Sequence, residues 1–421
     1  MPLPATTLPF DSVITQEHIV CVSSIDWDAK WQGHQEIATA LAAADNEVLF
    51  IENTGVRTPA FRDARRLLKR ARNWRRGRAG LRTEKPRLHV QSPILLPFPY
   101  SRAAVGLNRV LLGQVVKRWT AGVGCPHPIL LTFLPTPLVM ELARLFQPEL
   151  TVYYSVDDLG SSSPGAARIR TSEAELLRTA DLVFVTAERL RAHALEFREE
   201  AHVLPSGVAF GEFERARTGT VSTLLELDGI RGPIVGYISG LNQKTDERLL
   251  VEVARKLPDL QFVIVGPVLD PAPSVRACPN VHLLGLRPHA AIPRFLRSVA
   301  VGIIPYRVTE YTSHIYPAKL NEYLAMGLPV VSTPLAEVLR FNETHGAVVA
   351  VADRADAFAA AIRRAIEDAS PVEVRRRIAV AHANRWELKI ATMTDVIARA
   401  LARRRGRTGR DALDARAGIS A

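Results

Sequence analysis

Residues 305–333 read PYRVTEYTSHIYPAKLNEYLAMGLPVVST and gather the side chains of this chain best suited to holding a phosphorylated ligand. Tyr311, Thr312 and Ser313 make a hydroxyl-rich loop. A short helical pattern follows, with Pro317 before it and Lys319 and Glu322 three residues apart on one face. Gly327 and Pro329 stop the helix, and Val330 and Val331 open a β-branched strand. The first backbone N–H groups of a helix lack intrahelical partners and attract anions. A lysine there meets phosphate charge, and a carboxylate one turn further accepts hydrogen bonds from a ribose diol. The arrangement predicts a nucleoside-diphosphate site.

The same residues carry a family resemblance. The segment resembles the C-terminal nucleotide-sugar motif of GT-B glycosyltransferases of the group 1, family 4-like kind, especially bacterial ones that build surface polysaccharides. In many of these, two glutamates separated by seven residues precede Gly-x-Pro-Val-Val. Glu322 stands at the second glutamate, and Gly327-Leu328-Pro329-Val330-Val331 follows. His314 occupies the first glutamate position, a departure from the pattern. Pro317, Lys319, Glu322 and Tyr323 match the Pro-x-Lys-x-x-Glu-Tyr variant found in a subset of the family. The resemblance implies transfer of a sugar from a nucleotide-sugar co-substrate, with UDP favoured, and no other cofactor or metal. It places Lys319 on the diphosphate, Glu322 on the ribose, and Tyr311, Thr312, Ser313 and His314 around phosphate and sugar. Each has an ordinary alternative: a solvated lysine, a paired glutamate, a helix cap.

The elements that must position these groups alternate. In the first half, 18–24, 47–51, 88–92, 129–133, 150–156 and 181–186 read as strands, with a helix from Trp31 to Ala44. In the second, 233–238, 260–266, 280–285, 300–306, 328–333 and 347–351 read as strands, with helices such as Glu247–Lys256. Strands alternating with helices imply parallel sheets, and continuous apolar strands imply sheets covered on both faces. The fold class is α/β. The resemblance makes it GT-B: two Rossmann-like domains facing across a cleft, with the C-terminal helix crossing back to the first. Residues 1–214 form the acceptor domain, 215–232 the linker and 233–373 the donor domain. Residues 374–403 are the crossover helix, where Asn384 and Trp386 fit the family pattern, and 404–421 a disordered basic tail.

Further candidates lie at strand ends, where open α/β sheets bind ligands. Gly236–Gly240 makes a glycine turn that lets backbone approach a diphosphate, or simply turns. Relatives place an arginine after it and a lysine five residues later. Here Leu241 and an earlier Lys244 stand there, which shifts the diphosphate charge toward Lys319. Arg287-Pro288 borders the base or is an ordinary turn. Asp157 and Asp158 follow strand 150–156. One is expected to cap the next helix and one, Asp157 by preference, to take the acceptor's proton. His34 is a second candidate base or a structural histidine. Trp27, Trp31 and Gln32 form an acceptor surface or pack internally. Asp26 and Asp28 form an Asp-x-Asp, not taken as a metal site in this context.

At 421 residues the chain suits two domains, and its net charge of +11 implies an anionic partner. Thirteen of the cations lie in residues 57–87 against Asp63 and Glu84 alone. Phe61, Arg65, Arg66, Leu68, Arg72 and Trp74 there have the spacing of an amphipathic cationic helix on an anionic membrane. A solvated face is the plain alternative, and no nucleic-acid motif supports RNA. No apolar run reaches membrane-spanning length, and the first residues show no signal peptide. Cys21, Cys125 and Cys278 have neither metal nor disulfide spacing, which fits a reducing cytosol. The expected location is cytoplasmic, at the inner membrane face. A sugar-nucleotide epimerase and a non-catalytic nucleotide- or lipid-binding partner are the rival functions. A nicotinamide enzyme is disfavoured, because neither glycine turn spells G-x-G-x-x-G.

Overall fold

The computed structural model describes residues 14–29, 31–52, 54–55, 81–161, 168–219, 225–227, 229–269, 272–368 and 370–417, with side chains to 407. The chain divides into two compact units, Met1–Leu204 with Glu387–Ala421, and Pro205–Trp386.

The first unit carries strands β1 (His18–Val22), β2 (Glu47–Ile51), β3 (Leu81–Lys85), β4 (Leu88–Gln91), β5 (Ile129–Thr132), β6 (Thr151–Ser155), β7 (Leu182–Val185) and β8 (His202–Val203). Helices α1 (Gly33–Ala43), α2 (Arg102–Val123), α3 (Pro137–Phe146), α4 (Ile169–Thr179) and α5 (Glu188–Leu195) lie between them. The sheet order is β3-β4-β2-β1-β5-β6-β7-β8, parallel except for the antiparallel edge pair β3 and β4. Val20, Val22, Leu49, Ile51 and Leu130 pack with Leu112, Val116 and Trp119 of α2, which accounts for their unbroken apolar runs. Sequence order reverses between β1 and β5, so the loops leaving these two strands flank the switch point.

The second unit carries β9 (Ile234–Tyr237), β10 (Gln261–Val265), β11 (Val281–Gly285), β12 (Val299–Ile304), β13 (Val330–Ser332) and β14 (Val349–Val351). Its helices are α6 (Phe210–Thr218), α7 (Glu247–Lys256), α8 (Pro273–Arg276), α9 (Ile292–Leu296), α10 (Glu310–Ser313), α11 (Lys319–Ala325), α12 (Ala336–His345), α13 (Ala355–Glu367) and α14 (Pro371–Ala383). All six strands are parallel, in the order β11-β10-β9-β12-β13-β14, with the switch point between β9 and β12. Each half is therefore a Rossmann-like layer of parallel sheet and helices, and the pair of them is the GT-B architecture.

Several expectations need correction. The stretch expected as linker begins inside α6, whose Phe213 is fully buried in the second unit's core. The pattern over 374–403 predicts one helix, but α14 ends at Ala383 and α15 (Trp386–Ala417) starts afresh. The break occurs because the chain pairs there with the strand-like segment at Val208: Trp386 N–H donates to Val208 O at 3.0 Å and Val208 N–H to Asn384 O at 3.2 Å. Asn384 Nδ2 donates to Val380 O at 3.0 Å and closes α14. Beyond 404, where a disordered tail was expected, α15 continues as helix. Arg405 explains part of that order, since its guanidinium reaches both Glu17 and Glu149 of the first unit at 2.7–3.0 Å.

The end of the basic stretch 57–87 is a β-hairpin rather than a helix. Arg82 reaches Glu52 at 3.1 Å and also pairs with Glu84, while Arg87 pairs with Asp45 and Glu47 at 2.9 and 3.0 Å. These two arginines serve the fold. Phe61, Arg65, Arg66, Leu68, Arg72 and Trp74 lie outside the described residues. Cys21 and Cys278 are buried and Cys125 half-buried, all three as free thiols.

Candidate active site

The second unit gathers its candidate groups at the carboxyl ends of β9, β11 and β12. Tyr323 does much of the positioning. Its ring lies against Gly302 of β12 so closely that a Cβ on that glycine would fall 2.6 Å away. Its hydroxyl accepts the Ile238 N–H at 2.9 Å, at the exit of β9. This keys α11, and with it Glu322, to the turn Ser239-Gly240. That turn is tight for a packing reason: a Cβ on Gly266 would sit 2.3 Å from Ser239 O, and one on Gly240 2.7 Å from Pro267 O. Backbone then knits the two exit loops together, with Asp246 N–H donating to Pro305 O and Arg307 N–H to Lys244 O, both at 2.8 Å. Lys244 lies in this seam, its ammonium 5.8 Å from the Tyr306 ring.

Lys319 and Glu322 form the charged centre. The Lys319 ammonium donates to both oxygens of Glu322 at 2.7 Å. His289, in the loop leaving β11, brings Nε2 to 3.5 Å from Oε1 of the same carboxylate. Glu322 is buried, which by itself would raise its pKa. The Lys319 charge and the His289 contact outweigh burial and bring it down to about 2. The carboxylate is thus ionised at neutral pH and fixed in direction. An ammonium has three donors and Glu322 takes two, so one remains to be aimed at an anion. Because α11 has only seven residues, this lysine supplies more field than the helix terminus.

The hydroxyl loop differs from the expectation. Thr312 is buried, and its Oγ1 donates to Arg307 O at 2.5 Å within a capping box with Thr309. Ser313 Oγ donates to Glu310 O at 2.6 Å, and His314 Nδ1 donates to that same carbonyl at 2.8 Å. These three side chains build the loop's own turn, the outcome of hydroxyls competing for local backbone. Tyr311 is half-buried. Arg287 is turned to Glu226 at 3.4 Å, so the residue of that loop that meets Glu322 is His289, which sequence reasoning passed over. Its position two residues beyond Arg287 on a strand exit was the available signal.

In the first unit, Asp158 accepts from Ser161 N–H at 3.1 Å and from its hydroxyl at 2.5 Å, and so caps the turn Leu159–Ser161. Asp157 is half-buried at the exit of β6. His34 is 3% exposed, lies 4.0 Å from the Phe133 ring by centroids, and meets Ser24 Oγ at 3.0 Å through Nε2. Burial lowers its pKa to about 3, so it is a neutral imidazole. Trp27 is a core residue rather than an acceptor platform. Its ring meets Phe50 and Trp31 edge-on, and its backbone N–H donates to the buried Glu52 Oε1 at 3.0 Å. Trp31 is half-buried, with Nε1 donating to Glu36 at 2.7 Å. Gln32 heads α1, where its N–H donates to Gln35 Oε1 at 3.0 Å. Among the described residues, no group of His, Cys, Asp and Glu is arranged to hold a metal ion.

Residues 232–368 match the family model described as glycosyl transferases group 1. Over these residues the second unit is similar to the group 1 glycosyl transferases. TuaH of Bacillus subtilis (strain 168), a protein named for glycosyl transfer in teichuronic acid biosynthesis, is 27% identical over 222 residues. That alignment covers 50% of this chain and 55% of TuaH, so the chain spans about half the length of this relative. Among solved structures, sucrose-phosphate synthase from Thermosynechococcus elongatus superposes with a TM-score of 0.65 at 18% identity, covering 92% of this chain and 100% of that one. Anabaena Alr3699/HepE, solved in complex with UDP and glucose, gives 0.60 at 17% identity, covering 91% and 99%. Such distant structural likeness shows the GT-B fold and no more. Lys319, Glu322, Gly240 and His289 all fall within the matched segment.

Proposed function

We propose that the chain transfers a sugar from a nucleoside-diphosphate donor to a lipid-linked or surface-polysaccharide acceptor at the cytoplasmic membrane face. The observation that carries the reading is the pairing of the half-buried Lys319 with the buried Glu322, keyed by Tyr323 to the glycine turn at the β9/β12 switch point. Glu322, held ionised, accepts the ribose hydroxyls. Lys319 meets the diphosphate. The HepE complex with UDP and the TuaH name favour a UDP-sugar and a surface polymer.

In the reaction, the acceptor hydroxyl oxygen bonds to the anomeric carbon as that carbon's bond to the β-phosphate oxygen breaks. The nucleoside diphosphate leaves with the bonding pair, and Asp157 takes the hydroxyl proton. Lys319 and backbone N–H groups of the Ser239-Gly240 turn stabilise the departing charge, without a metal. The test is nucleoside-diphosphate release from a panel of UDP-sugars, with and without lipid-linked acceptors. Acceptor-dependent UDP release that is lost in Asp157→Asn supports the reading. Interconversion of donors without acceptor would instead identify an epimerase, and tight donor binding with no turnover on any acceptor a non-catalytic partner.

A further inference from the structure

A second surface of the first unit is built for contact with something apolar and anionic. Helix α2 contains Arg102, Arg109, Lys117 and Arg118 and not one Asp or Glu in 22 residues. Its inner face, with Val105, Leu112, Val116 and Trp119, is buried in the core. Its outer face carries Leu107, Val110 and Leu111 at 42–49% exposure, spaced i, i+3, i+4 so that they form one stripe. Beside it runs the uncharged loop SPILLPFPY (92–100), in which Ile94, Leu96 and Phe98 are also exposed. The two are pinned together. Asn108 of α2 accepts the Leu96 N–H at 2.8 Å and donates to Leu96 O at 3.0 Å. Six of the twelve exposed large apolar side chains among the described residues thus fall in this one region. Such concentration marks an interaction site, whereas scattered exposed leucines do not.

The charges bordering the stripe select its occupant. Lys117 and Arg118 continue it toward the helix C-terminus. On the other side a groove of about 700 Å³ is lined by Arg102, Arg109, Arg144 and Arg168 with Tyr100 and Met140. Two glutamates offset part of this charge, Arg109 and Arg144 sharing Glu141 and Arg144 also pairing with Glu175, so the four arginines leave a net positive lining; the Arg168 guanidinium lies 5.4 Å from the Tyr100 ring. An apolar strip flanked by cations, with a cationic groove alongside, matches acyl chains beneath anionic headgroups. We infer that loop Ile94–Phe98 and the outer face of α2 form the surface that docks this protein on an anionic lipid bilayer. The inference rests on the membrane location proposed above and names the residues that reach it.

The test is co-sedimentation of the full chain with phosphatidylcholine vesicles, with and without phosphatidylglycerol, alongside UDP titration and light scattering. The variants are Leu107→Gln/Val110→Gln/Leu111→Gln and Lys117→Gln/Arg118→Gln. Expected is binding of wild type to phosphatidylglycerol vesicles, weakened about tenfold or more in the apolar triple. The charge pair should lose much of the preference for anionic lipid and its salt sensitivity. UDP binding should be unchanged in both, since these residues lie in the other unit from the nucleotide groups, and it reports that the fold is intact. Wild-type binding that the triple leaves at full strength would overturn this surface while leaving a membrane location standing. No binding of wild type to any vesicle would overturn both, with the UDP titration still judging the donor site separately. A triple that changes only the oligomeric state would show that the face contacts protein instead.

Discussion

At the scale of residues, the donor site rests on a carboxylate made useful by a lysine. Burial of a lone Glu322 would favour its neutral form; Lys319 and His289 reverse that and bring its pKa to about 2. Its folded value is depressed, so the stability it contributes is fully present above its ordinary value of 4.5 and is lost as pH falls from there toward 2. Lys319→Ala leaves the buried Glu322 carboxylate without its main partner and is expected to lower stability at pH 7 by about 3 kcal/mol, read from urea midpoints. Glu322→Gln, which keeps the shape, should instead flatten the acid limb of the stability curve between pH 4.5 and 2. His34 acts in the same direction at higher pH. Its folded pKa is lowered from 6.5 to about 3, because burial penalises the charged ring. The unfolded chain takes up that proton first, so stability should fall by about 1.4 kcal/mol per pH unit below 6.5. His34→Phe should remove this share of the slope in urea titrations at pH 4–6.

At the scale of elements, the site depends on close approach between turns and strands. Gly266→Ala would set a Cβ 2.3 Å from Ser239 O, against backbone that has no room to retreat. We expect a loss of about 2–3 kcal/mol in stability and weaker UDP binding, because the displaced turn is Ser239-Gly240. A variant that binds UDP as wild type does would detach the turn from the site. Much of this scale was legible in the sequence. Strands β1, β2, β9, β10 and β11 are short β-branched runs bounded by polar residues, and they stand within about two residues of where the pattern put them. The antiparallel edge β3 was not legible, because an arginine-rich run hides alternation, and its Arg82 is satisfied by Glu52, which lies 30 residues away. Nor was the loop 309–314, since hydroxyls that bind phosphate and hydroxyls that cap a turn are the same residue types in the same order. Glu322 and Lys319 were legible because their three-residue spacing is local. His289 was not, because its partner lies 33 residues on.

At the scale of the whole molecule, the first unit is completed by a helix from the far end of the chain. Ile390, Met393, Ile397 and Leu401 of α15 are buried, and Glu387–Ala421 counts with the first unit. Each such side chain contributes about 2 kcal/mol of burial, so a chain ending at Trp386 should lose a large part of the marginal stability of the first unit. The expected result is loss of the first unit's cooperative melting transition in calorimetry, with the second unit's transition retained. Arg405→Ala should be far milder, about 0.5–1 kcal/mol, because its two carboxylate contacts lie at the solvent surface. The break at Asn384–Arg385 shows why one long Ala- and Arg-rich pattern misled. Periodicity runs on through both helices, and only the distant pairing with Val208 interrupts it.

Calorimetric titration of wild type, Lys319→Ala and Glu322→Gln with UDP, GDP, ADP and CDP shows whether these two side chains hold a nucleoside diphosphate. Wild type is expected to bind one nucleoside diphosphate, UDP by preference. Affinity should fall about 10- to 100-fold in each variant, as befits loss of a charge-assisted contact. Binding at wild-type strength in both variants, or no binding of any diphosphate by wild type, would contradict a donor site at Lys319 and Glu322.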